Sequence, residues 1–402
     1  MSNARIMLQA TGEQDSFLTT GAKHTLFKEY HRRHALFGLD WNIINLNYNN
    51  TTPASGFITK GSKHYFRIDN NGDLINEIYL RIKIKKDSAW DGTGAANFGY
   101  ETIFKILDSV EFMCNDKQIS KFTSDYMFSY FELNYTESDK RNLVDMTSYA
   151  KVSDNGDGSG ELTEHVYLTI PIPLWFHKNP GSAFPMWALN NPNIGINVGI
   201  KSSLPTGGHI NDIEILTNFS QISSDEKLQF ANKPLEYLIE TPEYVNNLTI
   251  DGTAAATKKI SILKTHFIKY FFWNIKTNDT TFTYLDHLTT ASLLVDGNPI
   301  VDNAPGSFFN QLNRYAHFNS GSTLSTSSGS VDENKLNPIY TYSFALTPTV
   351  PKLSGFVTSE KFNNVSLEFN IGSGSDNRQL NIYLVKHNVI RINDGHLNIL
   401  YN

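Results

Sequence analysis

Residues 79–85 read Tyr-Leu-Arg-Ile-Lys-Ile-Lys, which sets Ile82 and Ile84 on one side of a period of two and the lysines on the other. A segment with that period pairs as a half-buried strand, because alternate side chains point to opposite faces of a sheet. The same texture recurs along the chain, cut by Asn, Gly and Pro: strands are expected at 57–68, 166–172, 193–200, 260–275, 339–346, 365–371 and 380–385. Helical spacing is confined to three short stretches, 25–36, 124–135 and 308–318. Many short strands with few helices predict an all-β chain built of packed sheets.

The order of elements repeats. Val110–Ile119 and Leu293–Ile300 each read as two strand pieces around a turn of Asn, Asp or Gly. Each is followed by an aromatic helical stretch, with Tyr126, Phe128, Tyr130 and Phe131 in one and Phe308, Phe309, Tyr315 and Phe318 in the other. A strand, a loop (Pro180-Gly181 against Ser354-Gly355) and a final alternating strand come next in both. Two tandem β units are expected, and an eight-stranded jelly roll fits the strand count of each. The expected division is an N-terminal arm and helix at 1–40, a first roll at 41–225 and a second at 226–402, with the boundary near Ser223–Pro234.

Composition narrows the function classes. The 402 residues are 40% hydrophobic and 12% aromatic, enough for a core. Only 18% are charged, so the polar surface must come largely from Asn, Ser and Thr. A net charge of −6 argues against a protein whose main task is gripping nucleic acid. The single cysteine, Cys114, excludes an intrachain disulfide and a four-cysteine zinc site. The first ten residues lack a signal-peptide pattern, so synthesis in the cytoplasm is expected. The longest apolar stretch, Val166–Phe176, carries two prolines and falls short of the ~20 residues a membrane helix needs.

Six blocks then become specific. Gly12–Asp15, Phe17-Leu-Thr and Thr25–Phe37 open the chain, keeping Phe27-Lys28, Tyr30, Arg32-Arg33 and Phe37. Arg67–Ile75, Ile170–Gly181 with Phe184-Pro185 and Ala188-Leu189, Pro234–Glu240, Tyr342–Leu346 and Leu380–Ile392 succeed them in order. This succession resembles the double jelly-roll major capsid proteins of nucleocytoplasmic large DNA viruses. His31 between Tyr30 and Arg32, and Leu36 before Phe37, depart from the family pattern. The resemblance implies two jelly rolls per subunit, no catalysis and no cofactor. It implies a homotrimeric, pseudo-hexagonal capsomer in the icosahedral outer shell of a virion. The partners it implies are neighbouring capsomers, minor capsid and penton proteins, and an inner membrane surface. A less abundant paralogous shell subunit, or a carbohydrate-binding or carbohydrate-cleaving β-sandwich, are the rival readings.

Phe27, Lys28, Tyr30, Arg32, Arg33 and Phe37 are the candidate assembly residues, with the Arg32-Arg33 pair set to anchor on carboxylates or phosphates. A solvated or intrachain-paired helix face is the plainer reading. Asn49, Asn50, Asn134, Asn218, Asn247, Asn278 and Asn364 begin Asn-x-Ser/Thr triplets, the last five being the candidate glycosylation sites. His24, His31 and His34 read as ordinary histidines rather than metal ligands. Ser153, Asn155, Asp157, Gly158 and Glu164 are spaced like a calcium loop, but Ser stands at the first ligand position, so a connecting loop is the preferred reading. Trp175, Trp187 and Trp273 are expected in the core or at an interface.

Overall fold

The computed structural model describes residues 12–22, 26, 34–46, 58–86, 101–147, 149–154, 162–177, 179–190, 192–202, 208–231, 234–250, 256–262, 267–276, 284, 288–318, 338–358, 361–362, 364–373 and 377–401. The chain divides into a unit ending at Leu36 and a body beginning at Phe37. The first unit holds a helix, Glu13–Thr19, opened by a Gly12 N–H that donates to Asp15 Oδ2 at 3.0 Å. None of that helix is buried, and Phe17 and Leu18 stand exposed.

Among the described residues the body begins with ten strands: β1 (Phe37–Asn45), β2 (Lys63–Ile68), β3 (Leu74–Lys86), β4 (Leu107–Cys114), β5 (Lys117–Thr123), β6 (Tyr149–Asp154), β7 (Leu162–Pro171), β8 (Phe184–Pro185), β9 (Ile194–Ile200) and β10 (Gly208–Ile222). They form sheet I, in the order β1-β10-β3-β7-β6 with β8 on β3, and sheet II, in the order β2-β9-β4-β5. Nine more follow among the described residues: β11 (Leu235–Ile250), β12 (Ala256–Ser261), β13 (Ile268–Lys276), β14 (Leu288–Val295), β15 (Asn298–Pro305), β16 (Tyr340–Ser343), β17 (Val365–Ile371), β18 (Arg378–Asn393) and β19 (His396–Ile399). These form sheet III, β11-β18-β13-β16 with β19 on β18, and sheet IV, β12-β17-β14-β15.

Setting aside the accessory strands β6, β8 and β19, both halves have the same connectivity. The first, eighth, third and sixth strands make one sheet; the second, seventh, fourth and fifth make the other. That is the order of a jelly roll, so the chain is a double jelly roll. Among the described residues no strand pairing crosses from one half to the other.

Local chemistry sets the hairpins. Asn115 and Asp116 sit at φ 50° and 61° between β4 and β5; Asp296 and Gly297 sit at 50° and 83° between β14 and β15. Two successive left-handed residues make the turn whose twist matches antiparallel strands, and Asn, Asp and Gly tolerate it best. The repeat read from the sequence therefore has a structural counterpart at the same place in each roll.

Some expectations change. Residues 260–275 are not one strand: β12 ends at Ser261 in sheet IV and β13 begins at Ile268 in sheet III. A jelly roll passes from sheet to sheet at this step, and in the sequence Lys264-Thr265-His266 interrupt the apolar run there. The strand expected from residue 57 starts at Lys63, after a turn in which Ser62 Oγ donates to Thr59 O at 2.7 Å. Phe37–Asp40, expected in the arm, belong to β1 and pair with Asp40↔Phe219 through Phe37↔Ile222. His34–Leu36, the end of the expected first helix, are not helical; Thr25 and Phe27–Arg33 lie outside the described residues.

Two apolar clusters hold the body. One fills the space between sheets III and IV, around Phe271, Trp273, Ile275, Leu293, Leu367 and Leu380. Trp273 is fully buried, its ring 5.2 Å from Phe309 and 5.6 Å from each of Phe271, Tyr340 and Phe369. The other fills the first roll and takes in Tyr270, Phe272, Tyr383 and Val385 from the far face of sheet III. All nine residues of β13 are buried for that reason: both faces of its sheet are covered.

Candidate assembly surfaces

The cover on sheet III is the helix Ser124–Asn134, which leaves β5 directly. Thr123 caps it, its Oγ1 accepting from Tyr126 N at 3.3 Å. The helix is buried nearly all round, on its polar as well as its apolar residues, because it is set between two packed layers. One side meets its own roll, with Phe128 and Phe131 rings 5.5 and 6.1 Å from Phe104. The other meets the second roll, with Tyr126 5.6 Å from Phe272 and 5.9 Å from Tyr383.

Polar groups lock this seam. Ser129 Oγ lies 3.1 Å from Tyr284 Oη and accepts from Asn274 Nδ2 at 3.3 Å, while Asn381 Nδ2 donates to Asn274 Oδ1 at 3.3 Å. Asn134 Nδ2 donates to Tyr270 Oη at 3.3 Å. Lys276 pairs with Asp125 across the seam, while Lys269 pairs with Glu240 inside sheet III. Lys140 Nζ donates to Glu132 Oε2 at 2.9 Å, both fully buried, and Arg314 of the second roll donates to Glu132 O at 3.1 Å. Burial lowers the Lys140 pKa and the Glu132 carboxylate pulls it back. Such desolvated charges fix a unique mating of two surfaces at a cost in solvation, and removing one partner leaves the other stranded.

His387 marks a second feature of sheet III. It is buried at the base of an apolar hollow of about 210 Å³, lined by Leu238, Phe267, Leu353, Phe356, Val389 and Tyr401. Neither ring nitrogen has a hydrogen-bond partner. Burial and the nearby Lys269 ammonium lower its pKa to about 4.

Two other surfaces are apolar and open. On sheet I, Leu39, Trp41 and Ile43 alternate along edge strand β1 with 62%, 53% and 52% of their surface exposed. Ile43 stands in register with Leu216 and Tyr79 across three strands, and the Trp41 and Tyr79 rings are 6.0 Å apart. In the second roll, the helical stretch 308–317 comes after β15 as Ser124–Asn134 comes after β5. It exposes Leu312 (56%) and Tyr315 (85%), whereas Arg314 between them is buried against Glu132.

Of the residues singled out from sequence, Phe27, Lys28, Tyr30, Arg32, Arg33 and Asn278 lie outside the described residues, as do His24, His31 and residues 155–161 of the candidate calcium loop. Phe37 opens β1 and is half exposed. Asn134 is engaged in the seam, so a glycan there would part the rolls. Asn218 Oδ1 accepts from Asn76 on sheet I, Asn364 Oδ1 accepts from Ser261, and Asn247 pairs with Asn381 within sheet III. His34 Nδ1 lies 2.8 Å from the Ala35 carbonyl. Trp175 and Trp273 are buried and Trp187 is half-buried. Among the described residues no group of three His, Cys, Asp or Glu side chains is set to hold a metal. The sequence reading missed Trp41 and its neighbours, although the period-two run Phe37-x-Leu39-x-Trp41-x-Ile43 carried the strand signal.

Comparison with known proteins returns one consistent description. Residues 25–231 match the family model described as the major capsid protein N-terminus. The chain is 26% identical to the major capsid protein of Pyramimonas orientalis virus, over all of both chains. It is 25% identical to that of Paramecium bursaria Chlorella virus 1, over 98% of each. The crystal structure of PBCV-1 VP54, fitted into a cryo-EM reconstruction of the virophage Sputnik, superposes with a TM-score of 0.75 at 20% identity, covering 94% of this chain and all of that one.

Proposed function

The chain belongs to the family of major capsid proteins of large DNA viruses, structural and not enzymatic, and from that premise we propose that three copies form a pseudo-hexagonal capsomer of an icosahedral outer shell. The observation that carries this reading is the doubled topology. Two rolls of the same connectivity, fixed side by side by a buried seam, give six similar modules when three chains surround a threefold axis. A near-sixfold outline tiles a surface with one gene product.

The capsomer would meet neighbouring capsomers, minor capsid and penton proteins at its edges, and the inner membrane surface at its base, without direct contact to nucleic acid. Assembly takes place in the host cytoplasm. The arm before the rolls carries Arg32 and Arg33, whose guanidinium forks suit carboxylate or phosphate. The rolls divide near Ser223–Pro234, a reading supported by the absence of any described strand pairing across it.

Light scattering after size exclusion tests the capsomer. Three chains of 45.4 kDa should give about 136 kDa without smaller species on dilution. A mass of one chain at every concentration would overturn it. In the same preparation, Arg32→Ala with Arg33→Ala should keep the trimer mass while shell assembly fails; normal particles would end the anchoring role.

A further inference from the structure

We propose that the cavity where the two rolls meet, beside the Glu240–Lys269 pair, is a binding site for a neutral monosaccharide unit. The cavity has a volume of about 200 Å³ and is built by both rolls. The first roll supplies Tyr126 and Tyr130 from the Ser124–Asn134 helix, and Pro173, Trp175 and Asn179 from the segment after β7. The second supplies Glu240 of β11, with Pro348, Thr349 and Pro351 from the segment after β16. The site lies within one chain, so it does not depend on how many copies make the capsomer.

The walls are held in place from both sides. The Tyr126 and Tyr130 rings stack with centroids 5.8 Å apart and planes 25° from parallel. Trp175 packs edge-on against Phe176 at 5.0 Å and Phe112 at 5.9 Å, and its carbonyl accepts from Ser182 Oγ at 3.3 Å. On the second roll, Lys269 Nζ donates to the Val350 carbonyl at 3.0 Å, which ties down the turn carrying Pro348, Thr349 and Pro351. A cavity of about 150 Å³ seats one benzene ring. The larger space here therefore fits a six-membered ring together with its substituents. Aromatic and proline surfaces suit the C–H face of such a ring.

The polar side chains of the lining narrow the kind of ring. The hydroxyls of Tyr126, Tyr130 and Thr349 can each donate and accept, the Asn179 amide does both, and Glu240 accepts. Burial raises the pKa of both tyrosines, so their hydroxyls keep their protons. Trp175 Nε1, buried without a hydrogen-bond partner among the described residues, adds a donor at the wall. A ligand bearing several hydroxyl groups matches that set, and it can take over the hydrogen bonds of water in the cavity. A hydrocarbon ring would leave the polar groups unpaired. Charge decides between a neutral and an ionic ligand. The Glu240 carboxylate is already engaged by the Lys269 ammonium, and no other Asp, Glu, Lys or Arg is among the described lining residues. A cation would compete with Lys269 for that carboxylate, and an anion would face it; a neutral polyol meets neither cost.

The test uses the full-length chain with the methyl glycosides of glucose, galactose and mannose, read by saturation-transfer NMR and calorimetry. At least one of these should bind saturably, at one site per chain. Tyr130→Phe removes a hydroxyl from the first roll's wall and keeps the ring; Thr349→Val removes one from the second roll's wall and keeps the shape. Each should weaken binding about tenfold. Neither strands a charge, and if one variant fails to fold the other still reads the site. Tyr315→Phe, at a side chain 85% exposed, should leave binding unchanged. Choline serves as the ionic probe and should bind more weakly than the glycoside. Failure of every glycoside to bind saturably overturns the assignment. Binding that both wall variants retain in full also overturns it, because the sugar then sits elsewhere. Choline binding more tightly than any glycoside overturns the neutral ligand in favour of a cation held by aromatic rings. The mass of the capsomer is read separately, so loss of this site leaves the capsomer reading standing.

Discussion

The same face of the same sheet has opposite fates in the two rolls. On sheet III, Phe272 and Tyr383 are sealed under the Ser124–Asn134 helix; on sheet I, Trp41 and Leu39 stand open. Connectivity, hairpin turns and strand order are alike, so the difference does not come from the roll itself. It comes from the neighbour each roll's helix meets. The first roll has a second roll beside it to cover, and the second roll has none. The duplication thus leaves the apolar face of β1 open within the chain.

Substitutions on the covered face should have the largest effect. Phe272→Ala should cost about 3–5 kcal/mol of unfolding free energy through lost contacts and a cavity, whereas Leu39→Ala should cost under about 0.5 kcal/mol, read by denaturant unfolding. Equal losses at the two sites would mean that the two faces are not differently buried. The seam charges come next. Lys140→Met leaves the Glu132 carboxylate buried beside Arg314, 4.0 Å away, and should cost about 3 kcal/mol. Removing all three charges, by adding Glu132→Leu and Arg314→Met, should recover most of that loss; a triple variant as unstable as the single one would show that packing, not charge, carries the effect.

Acid should give the smallest change. The folded chain holds His387 at about 4, below the ordinary 6.5, so the unfolded chain takes up a proton that the folded chain resists. Stability from this residue is complete above about pH 6.5 and falls as pH drops toward 4. The neighbouring Glu240 opposes the trend, because burial raises its pKa despite Lys269. His387→Phe isolates the histidine: the variant should lose less melting temperature than the wild type between pH 6.5 and 4, a difference on the order of 1–2 kcal/mol. Identical acid profiles would remove His387 from the account. In the first roll, burial lowers the His64 pKa and raises that of Asp212, so only the comparison with His387→Phe assigns the acid effect to sheet III.

Much of the fold was legible in residues. The period-two runs at 79–85, 365–371 and 380–385 lie in β3, β17 and β18, and the Asn-Asp and Asp-Gly turns sit at hairpins because those side chains tolerate left-handed backbone. The helical stretches 124–135 and 308–318 were placed within a residue or two. The break inside 260–275 was missed although Lys264-Thr265-His266 interrupt the apolar residues there, because local pattern does not say which sheet the strand on either side joins. β1 was missed because its alternation runs through residues that also fit the expected arm.

The candidate surfaces were less legible still. A sequence states that Tyr126 and Phe272 are aromatic, and by itself determines the strands, the turns, the repeat and the family resemblance through local preference and order. It does not state that these two rings meet, that Glu132 accepts from Arg314 182 positions away, or that Trp41 remains uncovered. Those outcomes depend on which faces are brought together when two rolls pack. Burial is a property of that pairing and of the water it excludes, and only the tertiary structure decided it.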